Sequence, residues 1–81
     1  MVKLDYHPDF TKLFLKLDNA LREKVFNQLT KIRNDPEIGK PMRYIRKGTR
    51  ELYIKPFRLS YVYKKEEDKV ILLELYHKDE Q

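Results

Sequence analysis

The hydrophobic pattern of this chain changes period twice. Val2, Leu4 and Tyr6 alternate with Lys3 and Asp5, which predicts a short strand over 2–6. Phe10, Leu13, Phe14 and Leu17 then recur at i, i+3, i+4 and i+7, the spacing of one helical face, with Lys12 and Lys16 on the other side. Pro8 favours a turn ahead of this stripe, and Asp9 is a residue type that caps helices. Asp18-Asn19 is a second cap signal, followed by a stripe of Leu21, Val25, Leu29 and Ile32 with Phe26 beside it. Asn34-Asp35-Pro36 ends that helix, because a proline disfavours helical geometry in the residue before it. Almost no sequence separates the two helices, so they predict an αα-hairpin.

Glu37 to Pro41 reads as a linker, and beyond it the period returns to two. Met42 to Lys47, Arg50 to Lys55, Phe57 to Lys64 and Lys69 to Lys78 all look extended. Gly48-Thr49 and Lys64 to Asp68 supply turns, and Pro56 sits where two strands meet, since it has no N–H to give a central ladder. The expected order is β-α-α-β-β-β-β, a single α+β domain over residues 1–81. Its two N-terminal helices pack on one face of a mainly antiparallel twisted sheet, and the last three strands form a meander. The helices then hide Phe10, Phe14, Leu21, Val25 and Leu29.

Strand parity assigns the faces. Leu52, Ile54, Leu59, Tyr61, Leu73 and Leu75 are expected towards the helices. Glu51, Tyr53, Lys55, Arg58, Ser60, Tyr76 and Lys78 collect on the open face. The 69–78 strand is apolar on both parities at its start, as a central strand would be. Alternation puts His77 with Leu75; it reaches the open face only if the strand ends or bulges.

Charge sharpens this picture. The formal net charge is +5, and between Lys40 and Arg58 seven cations face the single anion Glu51, a local surplus of six. A polyanion is the natural partner, with affinity that falls as salt rises. Cations interleaved with Tyr53 and Tyr76 suit single-stranded RNA, whose phosphates pair with arginine and lysine and whose bases stack on rings. There are no cysteines, and His7 and His77, the only histidines, lack ligand spacing. No metal and no cofactor is therefore expected. His7, ahead of a proline, reads as structural or exposed. No apolar run approaches the ~20 residues of a membrane helix, and no secretory signal is visible, so the expected location is the cytoplasm, away from membranes.

The segments KGTRELYIKPFRLSYVY (47–63) and KVILLELYHKDEQ (69–81) resemble the RelE/ParE toxin superfamily of type II toxin–antitoxin systems. Phe57-Arg58-Leu59-Ser60-Tyr61 is similar to that family's "YRLVY" strand. Gly39-Lys40-Pro41 and the terminal Tyr76-His77-Lys78 resemble its YoeB-like branch, and RELYI and HKDEQ its HigB-like branch. The resemblance implies a metal-independent endoribonuclease that cuts messenger RNA in the ribosome by attack of a ribose 2′-hydroxyl on the adjacent phosphate. It implies Arg58 and His77 as the catalytic pair, the first stabilising transition-state charge and the second moving a proton. Arg50, Glu51, Tyr53, Lys55, Tyr76 and Lys78 follow as RNA-binding candidates. Glu51 stands as a possible replacement for the carboxylate that YoeB-like chains carry where Met42 lies. The partners implied are a cognate antitoxin, with Phe26 or Tyr44 as footholds, the ribosome and mRNA. Two other readings share the fold: a ParE-like inhibitor of gyrase, and a toxin-fold module that binds RNA or antitoxin without cutting.

Overall fold

The computed structural model describes residues 2–77. Strand β1 (Lys3–Tyr6) leads into helix α1 (Pro8–Phe14) and helix α2 (Asn19–Asn34). Then come β2 (Lys40–Pro41), β3 (Arg50–Ile54), β4 (Phe57–Lys64) and β5 (Lys69–His77). The five strands form one sheet in the order β1-β5-β4-β3-β2, with β1 parallel to β5 and the remaining pairs antiparallel. The helices cover one face, so the expected α+β architecture and the β3-β4-β5 meander are present.

Local chemistry explains the helix ends. His7, not Asp9, caps α1: its Nδ1 accepts from the Asp9 N–H at 3.1 Å, and Pro8 takes the first helical turn, where a missing N–H costs nothing. Asp18 Oδ1 accepts from the Leu21 N–H at 2.9 Å and caps α2. Arg22 fastens the hairpin. Its Nε donates to the Phe14 carbonyl at 3.3 Å, and its guanidinium lies 5.9 Å from the Phe14 ring centre. Phe10, Leu17, Val25, Leu29 and Ile32 from the helical layer meet Ile54, Leu59, Tyr61, Val70, Leu72 and Leu75 from the sheet. Each such large apolar side chain contributes ~1.5–3 kcal/mol on burial. Phe14 and Leu21 are only partly buried at the edge of this core, and Phe26 points outward with 63% of its surface exposed.

The stretch between α2 and β3 departs from expectation. Pairing here is confined to Lys40 and Pro41, which lie opposite Glu51 and Arg50, inside the segment expected to be a linker. Residues 42–47, expected to be a strand, instead form a turn with a short 3-10 helix at Tyr44–Arg46. Lys47 N–H closes on the Tyr44 carbonyl at 3.0 Å, and Thr49 N–H on that of Arg46 at 3.1 Å. The alternation of 42–47 lacks a partner ladder; Gly48, at φ +96°, turns the chain back before one can extend.

Tyr61 anchors the segment that follows α2. The Gly39 N–H donates to its hydroxyl at 2.8 Å, and the hydroxyl donates to the Pro36 carbonyl at 2.8 Å. The ring is fully buried, and burial is the main reason its pKa is raised above the ordinary tyrosine value; the Gly39 hydrogen bond and the nearby Arg50 charge act the other way.

Candidate nucleic-acid interface

The face of the sheet away from the helices is built by cross-strand pairing. Tyr53 lies opposite Arg58, Arg58 opposite Tyr76, and Glu51 opposite Ser60, which in turn faces Glu74. Glu51, Tyr53, Arg58, Ser60 and Tyr76 therefore share one face, as expected. The face is not open throughout, however. The 42–49 turn folds across it, leaving Glu51 6% and Ser60 3% exposed.

Glu51 is the hub. Its Oε2 accepts from Arg46 at 3.1 Å and from the Tyr76 hydroxyl in a short hydrogen bond. Its Oε1 lies 3.5 Å from an Arg58 nitrogen. Arg46 also reaches the Tyr76 hydroxyl at 3.3 Å and Glu74 at 3.8 Å, and its guanidinium sits 5.1 Å from the Tyr76 ring centre. A buried carboxylate is tolerable only when paired, and two guanidiniums and a phenol meet that need. Arg46 is the functional candidate that the sequence reading missed. The available signal was Glu51, the lone acid among seven cations from Lys40 to Arg58, which marks it as a place for cations to converge.

Beside this hub opens a cleft of about 860 Å³, lined from the 40–44 segment by Lys40, Arg43 and Tyr44 and from the sheet by Glu51, Tyr53 and Arg58. One side is basic; two phenol rings and a guanidinium border it. Tyr53 is half exposed at its wall.

Three expected members lie elsewhere. His77 pairs with Phe57, and its ring meets the Phe57 ring edge-on at 5.7 Å. Phe57 packs against the core, so the imidazole emerges on the helix side while Arg58 emerges on the other. The strand does bulge, but too early to help. Ser60 pairs with Glu74 and Tyr61 with Leu72, which leaves Leu73 as the extra residue. That bulge turns Leu73, expected in the core, onto the second face beside Ser60 and Glu74. It buries Leu72 in its place and leaves Leu75 and His77 on the helix side. Arg50 also faces away from the cleft. It donates to the Glu37 and Gly39 carbonyls at 3.0 and 2.7 Å and pairs with the Glu37 carboxylate at 3.6 Å, holding the chain after α2 against β3. Lys55 is exposed in the β3–β4 turn, and Lys78 lies outside the described residues.

A family model for the ParE toxin of type II toxin–antitoxin systems (parDE) matches residues 4–81. The chain belongs to this toxin family. The fold agrees with solved relatives of low identity. The toxin–antitoxin complex RelBE2 from Mycobacterium tuberculosis superposes with a TM-score of 0.85 at 22% identity, covering 95% of this chain and 98% of that one. The intact RelBE toxin–antitoxin complex from E. coli gives 0.83 at 19% identity, with 95% and 96% covered. A YoeB/ParE toxin from Agrobacterium tumefaciens gives 0.83 at 14% identity, with 94% and 98% covered. No curated protein sequence matches. No described helix is long and apolar enough to cross a membrane.

Proposed function

We propose that this toxin arrests growth by cutting messenger RNA on the ribosome, using the Arg46–Glu51–Arg58–Tyr76 cluster rather than His77. The observation that carries this reading is the meeting of a carboxylate, a phenol and two guanidiniums beside a basic cleft. In the reaction a ribose 2′-oxygen bonds to the adjacent phosphorus and the bond from phosphorus to the 5′-oxygen breaks. Glu51 accepts the 2′-proton, Tyr76 protonates the departing 5′-oxygen, and Glu51 returns the proton to Tyr76. The products are a cyclic phosphate and a free 5′-hydroxyl. Arg58 carries the charge that grows on the phosphate, where a guanidinium fork matches two oxygens.

A cognate antitoxin belongs to this reading, as in the RelBE complexes. Its binding raises the thermal midpoint of the toxin by mass action, and a saturating partner that left the midpoint unchanged would count against it. Expression without antitoxin, followed by mapping of mRNA 5′ ends, tests the chemistry. Ends that depend on translation are expected for the native chain and are absent for Arg58→Ala. If the native chain generates none, the nuclease reading fails.

The second reading, inhibition of gyrase without RNA cleavage, is favoured by one specific observation. Glu51 already neutralises both guanidiniums, and the histidine expected to move protons lies on the opposite face. Loss of DNA supercoiling by purified gyrase in the presence of the toxin, with mRNA intact, would establish it.

A further inference from the structure

We propose that Tyr44 is a nucleobase-stacking residue, held at the rim of the cleft to take an unpaired base of the RNA strand whose phosphate Arg58 engages. The inference rests on the RNA reading above and adds a recognition element to it, at a residue outside the catalytic cluster.

The conformation of Tyr44 is the first observation. Its φ is +59°, the left-handed region, in which a bulky side chain is rare and unfavourable. A turn that merely joined β2 to β3 would be built more easily with Gly, Asn or Asp there. The strain is held by hydrogen bonds on either side: Lys47 N–H to the Tyr44 carbonyl at 3.0 Å, Arg46 N–H to that of Arg43 at 3.2 Å, and Met42 N–H to that of Thr49 at 3.0 Å. Arg46 ties the turn to Glu51, so the rim is anchored to the floor of the cleft. Strain maintained by its surroundings is a mark of functional positions.

Exposure is the second. Tyr44 is 89% exposed, yet its ring borders the same cleft as Tyr53 and Arg58. Its backbone is thus fixed beside the group proposed to bind phosphate, and the ring gains nothing from the protein's own core. The third is charge. Arg43 and Lys47, both exposed, belong to the same turn, and no acidic residue occurs from Gly39 to Arg50. Ile45, next to the ring, is also fully exposed, but an amphipathic helix of a protein partner needs a groove with anchor sites one helical turn apart, and two adjacent side chains on a tight cationic turn do not supply them. A nucleic acid base with a phosphate on either side fits both the ring and its neighbours.

The test measures binding of 2′-O-methyl oligoribonucleotides, which a 2′-hydroxyl mechanism cannot cleave, by fluorescence anisotropy. Tyr44→Asn removes the ring and tolerates the left-handed turn, so its thermal midpoint should equal or exceed the native one. Its affinity should fall roughly tenfold or more, the scale of one lost base stack. Tyr44→Phe should bind as the native chain does. An abasic nucleotide at one position should reduce native binding to the level of Tyr44→Asn and leave the variant unaffected. Equal binding by Tyr44→Asn and the native chain, with Arg58→Ala impaired, overturns this inference and leaves the RNA reading intact. A variant that loses antitoxin affinity but not RNA affinity makes the rim a protein foothold and likewise overturns it. Failure of the native chain to bind RNA at all removes both.

Discussion

Arg58 lies opposite Tyr76 across β4 and β5, one residue short of His77, so the guanidinium and the imidazole leave the sheet on opposite faces. Arg58→Ala should therefore abolish growth arrest, with a loss of about 10²–10³ in cleavage rate, the usual effect of removing one stabilising group for transition-state charge. His77→Ala should retain both arrest and cleavage. Induced expression and mRNA end mapping check the pair; an inactive His77→Ala that is folded and binds antitoxin would contradict the assignment.

Glu51 holds two guanidiniums from beneath, and its removal takes away the carboxylate they share, leaving Arg46 its longer contact with Glu74 at 3.8 Å. Glu51→Ala should destabilise the fold by about 1–3 kcal/mol. This is below the loss for a wholly buried pair, because Arg46 and Arg58 keep a third or more of their surface in water. Glu51→Gln should recover part of that loss while leaving cleavage impaired. Urea unfolding combined with end mapping separates the two effects.

Tyr61→Phe should cost about 1–3 kcal/mol, since it deprives the Gly39 N–H and the Pro36 carbonyl of their shared partner. The difference should also depend on pH. The folded state keeps the Tyr61 proton more tightly than the unfolded chain, whose value is near 10.0. Above that pH the unfolded chain loses the proton first, so the native protein loses stability as pH rises towards the folded value. Below it the contribution is complete. Unfolding curves for both proteins between neutral pH and pH 11 should converge as alkalinity increases.

Gly39 has no room for a side chain. A Cβ there would lie 2.6 Å from the Tyr61 hydroxyl oxygen and 2.7 Å from a carbon of the same ring. Gly39→Ala should destabilise by about 1–3 kcal/mol through overpacking. The Tyr61→Phe background should not rescue it, because the ring carbon remains in the way. Thermal melts of the single and double variants decide the point.

Much of this was legible in the chain. The stripes Leu21-Val25-Leu29 and Phe10-Phe14 placed the helices, and the parity of Glu51, Tyr53, Arg58 and Tyr76 gathered the face that carries the cleft. Parity failed where the backbone broke its own period. The bulge at Leu73 is a one-residue slip that exchanges which leucine is buried, and both candidates are equally apolar. The 42–47 turn failed for a related reason. Its alternation is genuine, but a strand also needs a neighbour, and beyond Pro41 β3 has no partner to offer. Arg50 carries the same charge as Arg58, and only the three-dimensional position of the Glu37 and Gly39 carbonyls gives it a structural task.

The parallel alignment of β1 with β5 has a consequence for biosynthesis. Lys3 sits beside Lys69 and Tyr6 beside Leu72, so the earliest strand stays without its mate until the final one has been made. Such distant pairing delays closure of the sheet until β5 has been synthesised. A copy in which β5 has not yet paired lacks the strand that carries Tyr76, so the cluster around Glu51 cannot be assembled before then.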